Sequence, residues 1–437
     1  MKKSLFLKMM AFALACLLLV ACSSKDSSKT TDDSESAGDG TSGEITVASW
    51  AAAADALEEA AENYMEENPD AKITIQRVGH GYENIIPPLT AGMGAPDIVH
   101  VEQRDFQTFL RQFDGQFMDL TDQIGERKDE FAAIAWEAVE KDDKVLGVPW
   151  DLGPAAVWYR ADYYEEAGIN PDDIETWDDF IEAGKQLQEK VDGVKMVTFD
   201  TSGSDANPST WMILMNQLSG QYNDEEGNIN FANEPNIKAM EMVKKFKDEG
   251  IVYDSGDWSA LVRTITNGDA ASVILPVWLA GTISGQASDQ AGQWNVMKLP
   301  AFEEGGPHQA NLGGGVLAVT ENSESKDLAV SFIEYALLTN EGQDVQMKYG
   351  LFPSWQPYYE SEGFSKEDEF FGFKLSDFFA SVSTDIPKLD FGPYYMDFHS
   401  ELLDAYGNVM NDVMDAEEAL KNAEERSSSS TGLDIAD

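Results

Sequence analysis

Cysteine is nearly absent. Of 437 residues only Cys16 and Cys22 carry a thiol, and both lie in the first 22 positions. The rest of the chain can hold no disulfide, no cysteine nucleophile and no cysteine metal site. Histidine is almost as scarce. His80, His100, His308 and His399 are scattered, without HExxH or other ligand-like spacing, so a histidine metal centre has little support. Positive charge is short as well: 30 Lys+Arg face 79 Asp+Glu, a formal net charge of −49. A nucleic-acid surface needs cations to replace phosphate counterions, and this chain does not supply them. Phosphorylated and polyanionic ligands are disfavoured for the same reason. Past Cys22 there is no further apolar run of about 18 residues, the length a membrane span needs. No repeat at solenoid periods is visible. GxSxG, P-loop, HExxH and EF-hand patterns are also missing, which argues against an enzyme and against a cofactor.

What is present begins with an address. Residues 1–22 read MKKSLFLKMMAFALACLLLVAC. Lys2, Lys3 and Lys8 precede an apolar run from Met9 to Ala21, the layout of a secretory signal. Its end, Leu19-Val20-Ala21-Cys22, resembles a bacterial lipobox, in which cleavage precedes the cysteine and that cysteine carries lipid. The alternative is an ordinary signal with an incidental cysteine. Residues 23–43 hold one apolar side chain, Ala37, and cannot build a core. As a flexible coil this stretch spans roughly 25 Å. It reads as a tether that holds a domain off the outer face of a membrane.

From Glu44 onward the pattern is β-α-β. Ile45 and Val47 alternate in EITVAS, and an Ala/Glu-rich helix follows, with Leu57, Ala60, Ala61, Tyr64 and Met65 on one face. KITIQRV and DIVHV are the next strands. A second set starts near Val145, with VLGVPW and AAVWYR as strands. Thr176-x-x-Asp179 opens a helix as a capping box. VKMVTF, ASVILPVW, NVMKLP and GGGVLAVT are strands, and NIKAMEMVKKFKDEG is an amphipathic helix closed by Gly250. The region after Pro393 is helical, and SSSSTGLDIAD reads as a frayed tail. Alternating strands and helices predict parallel α/β sheets. Ligands at such sheets bind outside the carboxyl ends of the strands, here Ser49-Trp50 and Val101 to Arg104.

The order of these segments resembles the extracellular solute-binding proteins of sugar ABC transporters, the maltodextrin-binding group. The stretches that carry it are GAPDIVHVEQRDFQTFLRQFDGQFMDLTDQI, GVPWDLGPAAVWYRADYYEEAGI, ITNGDAASVILPVW and GGGVLAVTENSESKDLAVSFIEYALLTNEGQ. Single pieces are weak; their shared order behind a lipobox and a tether is specific. The resemblance implies a two-lobed α/β fold with three interlobe crossings, near Asp151–Pro154, Val296–Pro300 and Thr339–Gly342. Residues 1–21 would be the signal and 22–43 the tether. Lobe one would hold 44–151 and 300–339, lobe two 155–296 and 342–437. The implied function is capture of a carbohydrate, an oligosaccharide by expectation, in the interlobe cleft. A monomer anchored through Cys22 would then deliver it to an ABC permease. The resemblance gives no role to a metal or to nucleic acid.

A sugar presents hydroxyls at its rim and apolar C–H faces. Carboxylates, amides and guanidinium forks suit the first, aromatic rings the second. The chain has ten tryptophans. Trp50 follows the first strand and is either core or cleft. Glu102 and Arg104 follow the third strand, where the family bonds ligand; otherwise they are a solvated helix start. Val101 stands where an aromatic is frequent in the family. Asp151 sits at the first crossing, as a hydroxyl acceptor or as a turn cap. Trp211 opens a helix and competes with a core reading, with Asn207 and Ser209 as weaker neighbours. Trp278 matches a family position that stacks on sugar. Gly314, inside Gly313–Gly315, allows close backbone approach or simply makes a turn. Trp355 lies past the third crossing. Tyr394 matches an aromatic helix start that stacks a sugar ring in the family, with Tyr in place of Trp. Trp136, Trp177, Trp258 and Trp294 read as core or surface. A polyamine, held by carboxylates and aromatic walls, is the alternative ligand. A secreted glycosidase is the remote one, since paired carboxylates are easy to find among so many acids.

Overall fold

The computed structural model describes residues 42–203 and 208–436. The signal, Cys22, nearly all of the tether, and Asn207 lie outside them. The strands in chain order are β1 (Gly43–Ser49), β2 (Ala71–Arg77), β3 (Ile98–Glu102), β4 (Glu140–Lys141), β5 (Lys144–Val145), β6 (Val148–Pro149), β7 (Asp151–Leu152), β8 (Ala155–Arg160), β9 (Lys195–Phe199), β10 (Val252–Asp254), β11 (Ala270–Pro276), β12 (Trp294–Met297), β13 (Gly315–Val319) and β14 (Phe352–Pro353). They build two five-stranded sheets, in the orders β2-β1-β3-β13-β6 and β10-β9-β11-β8-β12. Each sheet is the centre of one lobe.

The sheets are mixed rather than parallel throughout. β1 runs parallel to β2 and β3, but β13 returns antiparallel to β3 and β6. β9 is parallel to β10 and β11, while β8 is antiparallel to β11 and β12. In β1 the four residues from Ile45 to Ser49 other than Thr46 are fully buried, because helices cover both faces. Helix Ala51–Glu67 supplies one cover through Ala53, Leu57, Ala60 and Tyr64. VLGVPW is not one strand. A Cβ on Gly147 would stand 2.5 Å from Val316, so the chain squeezes past there and pairing resumes at β6. The capping box forms as its spacing predicts: Asp179 N–H donates to Thr176 Oγ1 at 3.2 Å, and Thr176 N–H to Asp179 Oδ2 at 2.8 Å.

Packing moves two of the three crossings from where the resemblance puts them. Residues after Pro300 still belong to the second lobe. Ala301 N–H donates to Glu175 O at 2.8 Å, and Gln217 Nε2 to Pro307 O at 2.7 Å. The chain crosses at Asn311–Gly314, antiparallel to Gly153–Ala155, with Leu312 N–H on Gly153 O and Ala155 N–H on Ala310 O, both 2.9 Å. Gly153 is required at this point, because a Cβ would meet Leu312 O at 2.0 Å. Helix Asn340–Lys348 stays with the first lobe. Trp150 Nε1 donates to Gln346 Oε1 at 3.0 Å, and Tyr349 OH to Glu59 Oε2 at 2.7 Å. The third crossing is therefore β14, which pairs with β7. Motif order along a chain identifies neighbours, not which lobe a short helix buries itself against.

The C-terminal tail is not frayed. Helix Ala416–Thr431 runs through all four serines, and Ser427 is fully buried. Beyond Gly432 the chain returns to Ile229: Ile229 N–H donates to Asp434 O at 2.9 Å and Ala436 N–H to Ile229 O at 2.8 Å. Composition alone reads serine and glycine as loop, whereas burial against the second lobe supplies the missing stability. Deleting Gly432–Asp437 is expected to lower unfolding free energy by about 1–3 kcal/mol, at about 1 kcal/mol per lost backbone bond. Urea unfolding measures it; an unchanged midpoint would return the segment to the frayed reading.

Candidate functional site

The carboxyl ends of β1 and β3 and the start of β13 meet at one edge of the first sheet, since β13 is antiparallel and Gly315 pairs with Glu102. Trp50 stands at this edge. Its ring stacks on His100, with centroids 3.8 Å apart and planes 8° apart. His80 and Tyr82 close around it edge-on, at 5.1 and 5.6 Å. Ser49 Oγ bonds His100 Nδ1 at 3.0 Å and fixes the imidazole. Two non-glycine residues flank this cluster in the left-handed region, Ala51 at φ 47° and Tyr82 at φ 61°. Such conformations cost of order 1–3 kcal/mol and persist where surrounding contacts over-determine them.

Charge is concentrated beside the ring cluster. Glu102 forms an ion pair with Arg104, Oε2 lying 2.7 Å from Nε, and is also paired with His80. Burial pushes the Glu102 carboxyl up, but Arg104 and His80 outweigh it and hold it down at about 2. The bond to Glu102 raises His80 above the ordinary imidazole range. His100, buried in the stack, is pulled down to about 3 and is neutral. Tyr82 OH donates to Asp105 at 2.6 Å, and burial raises the Asp105 carboxyl. Asp151 Oδ1 accepts from Gly315 N–H at 2.7 Å; burial lifts its carboxyl to about 7, against that bond. Gly314, at φ 112°, lies between these groups. A Cβ there would meet Gln103 Oε1 at 2.5 Å and Asp151 O at 2.8 Å, so only glycine fits. Gln103 Nε2 donates to Ile134 O, while Oε1 has no partner among the described residues.

The second lobe contributes Trp278, just past the carboxyl end of β11. It is half-buried, its indole N–H donates to Leu312 O at 3.2 Å, and the Cβ position of Gly313 lies 3.2 Å from that nitrogen. Tyr395, buried at the start of helix Tyr395–Met410, lies within hydrogen-bonding reach of Arg104; burial pushes its hydroxyl up to about 12. Arg104 thus touches both lobes.

Three of the residues singled out from sequence lie elsewhere. Trp211 is 1 % exposed, with its indole N–H on Asn236 O at 3.2 Å; it is core of the second lobe and cannot face a ligand. The apolar helix it opens is buried nearly all round, which a local reading cannot distinguish from a cleft wall. Trp355 is committed to Glu130 Oε2 at 2.6 Å, to the Arg127 guanidinium above its ring, and to a backbone bridge with Phe131. Tyr394 is half-buried, but the Arg111 guanidinium of the first lobe covers its ring at 4.0 Å. Arg111 also donates to Pro393 O at 2.7 Å and pairs with Asp397, while Lys388 pairs with Glu137. Tyr394 is a lobe-to-lobe contact in this conformation. Conversely, Trp50, Glu102, Arg104, Asp151 and Gly314 come together, with Trp278 one glycine away. Sequence reasoning passed over His80, Tyr82 and His100, because isolated histidines carry no spacing signal and only the fold gathers them around Trp50.

A cavity of about 360 Å³ opens elsewhere, between helix Leu279–Gln286, the end of helix Asn340–Lys348 and residues 363–376. None of the candidate residues lines it. Among the described residues no group of three or more His, Cys, Asp and Glu could hold a metal ion, and no helix is long and apolar enough to cross a membrane.

The family model described as bacterial extracellular solute-binding protein matches residues 48–344. A lactose-binding protein of Rhizobium radiobacter is 32% identical over 80% of this chain and 84% of its own length. An arabinooligosaccharide-binding protein of Bacillus subtilis (strain 168) is 30% identical over 78% of each chain. Among solved structures, the ABC transporter associated binding protein of B. animalis subsp. lactis Bl-04, in complex with beta-1,6-galactobiose, superposes with a TM-score of 0.75 at 23% identity. That match covers 90% of this chain and 99% of the other.

Two outcomes follow from the electrostatics. Asp151 has a folded pKa above its unfolded value near 3.9, so the folded state binds the extra proton between about pH 4 and pH 7. Stability should fall across that window by about 2–4 kcal/mol relative to Asp151→Asn, and run parallel to it above pH 7. The depressed Glu102 acts oppositely and only below about pH 4.5, so it does not mask the effect. Parallel stability curves from pH 4 to 7 would contradict the assignment. Separately, Arg111→Ala should increase the radius of gyration of the ligand-free protein in small-angle scattering, and high salt should move the wild type the same way. No change in either would remove Arg111 as a lobe contact in solution.

Proposed function

This chain belongs to the bacterial extracellular solute-binding proteins, and on that footing we propose that it captures an oligosaccharide between its lobes and hands it to an ABC permease. No bond is made or broken. The observation that carries the reading is the pairing of one stacked indole face, Trp50 on His100, with the hydrogen-bonding set Glu102, Arg104, Asp151 and Gln103 on the same strand ends. An indole face accepts the C–H side of a sugar with little entropic loss, and the polar set meets its hydroxyls. Trp278 and Tyr395 supply groups from the opposite lobe, so the ligand is satisfied best when the lobes are closed. Binding energy then shifts the open–closed population, as in the hinge closure of periplasmic binding proteins.

The relatives named for lactose and for arabinooligosaccharides support the carbohydrate class. A polyamine would need open carboxylates against aromatic walls. Glu102 is already neutralised by Arg104 and His80, and Asp151 is held near neutrality by burial, which disfavours a dication. We further propose that residues 1–21 are removed as a signal and that Cys22 carries lipid, which would keep a monomeric receptor at the outer face of the membrane beside its permease.

The test is a thermal-shift screen with lactose, beta-1,6-galactobiose, arabinotriose, spermidine and putrescine. A ligand that binds only the native state raises the melting temperature by mass action. Shifts are expected with oligosaccharides and not with polyamines, and Trp278→Ala should weaken the best ligand at least tenfold while the far-ultraviolet spectrum stays native. A polyamine-only shift would overturn the sugar reading, and unchanged affinity in folded Trp278→Ala would take Trp278 out of the site.

A further inference from the structure

Trp258 reads from sequence as core or surface, and the structure gives it a sharper position. It is 43% exposed, one of the few exposed large hydrophobic side chains among the described residues, yet it is not isolated. Its ring meets that of Trp278 at 5.8 Å between centroids and 54° between planes. Its backbone is rigidly held. β10 ends at Asp254, whose Oδ1 accepts from Gly256 N–H at 3.2 Å and from Thr201 N–H at 3.0 Å. Ser255 N–H donates to Phe199 O at 3.2 Å, which ties the turn to the end of β9. Asp257 then caps helix Trp258–Asn267 by accepting from Ala260 N–H at 2.7 Å. Trp258 therefore stands at the carboxyl end of the second sheet, as Trp50 stands at that of the first. Neighbouring positions run from Trp258 to Trp278, on past Gly313, and through Gly314 to Gln103 and Asp151.

Two planes inclined at 54° cannot both lie flat against one sugar ring. A bound sugar unit resting on Trp278 leaves the Trp258 face to the next unit along a chain. An exposed indole that gains contact area only from that second unit adds affinity for longer ligands and none for a single unit. We propose that Trp258 is a length-specificity residue, which holds an outer unit of an oligosaccharide whose inner unit lies against Trp278. This rests on the carbohydrate reading above and adds to it the selection of chain length.

The experiment is titration calorimetry of the wild type, Trp258→Ala and Trp258→Phe with arabinose through arabinotetraose, and with galactose, lactose and beta-1,6-galactobiose. In the series that binds, Trp258→Ala is expected to lose at least fivefold for the longest member and to stay within twofold of wild type for the shortest. Trp258→Phe, which keeps an aromatic face, should recover most of the loss. Equal affinity at every length, or the same loss at every length, would overturn the proposal while leaving the carbohydrate reading intact. A wild type that binds none of these sugars would overturn that reading, and the proposal with it. An exposed side chain at a helix start is not needed for folding, so melting temperatures of the variants near that of wild type accompany the expected result.

Discussion

The Glu102–Arg104 pair is the interaction on which the arrangement of the cleft depends. Both groups are largely buried at the end of β3, where an unpaired charge would be very costly. Pairing solves that locally, and each partner then has capacity left over. Glu102 also holds His80, which packs edge-on to Trp50. Arg104 also reaches Tyr395 in the opposite lobe. One ion pair thereby orients an aromatic wall in one lobe and registers the other lobe against it. Burial sets the neighbouring groups: His100 is neutral and can stack face to face with Trp50, while the Asp151 carboxyl is lifted to about 7.

The strip that joins the lobes is built mainly from backbone, with Asn311 bonding Gly153 and Gly313 across it. Gly153 runs against Leu312 at a distance no Cβ would permit, and β7 pairs with β14 beside it. Gly314 continues the same strip and leaves room for Gln103 and Asp151. Short paired segments of this kind keep two lobes in register while allowing rotation. The rim contacts of Arg111 and Lys388 are exposed ion pairs, individually worth little and screened by salt. They join the lobes at the rim without locking them.

Much of the fold was legible in local pattern. The burial of Ile45, Val47, Leu57 and Tyr64 follows from their period, and the Thr176–Asp179 cap from its spacing. The strand-end position of Trp50, Glu102 and Arg104 followed from α/β topology alone. What failed did so for identifiable reasons. Trp211 and Trp355 sit in segments whose apolar character fits a core as well as a cleft. Tyr394 lost its open face to Arg111, a residue more than two hundred positions away in the chain. The serine-rich terminus folds because Ile229 offers it a strand edge, which composition cannot register.

By itself the sequence determined the class of the protein: two α/β lobes, no thiol chemistry beyond Cys22, no basic surface, and an ordered series of motifs shared with solute-binding proteins. These are properties of period, composition and order, which act over a few turns of chain or over its total charge. The tertiary structure alone decided which lobe helix Asn340–Lys348 belongs to, which tryptophans are buried within a lobe, and that His80 and His100 gather around Trp50. Those outcomes depend on contacts between residues far apart in the chain. They are set by which surfaces must be buried together and which charges must find a partner once water is excluded.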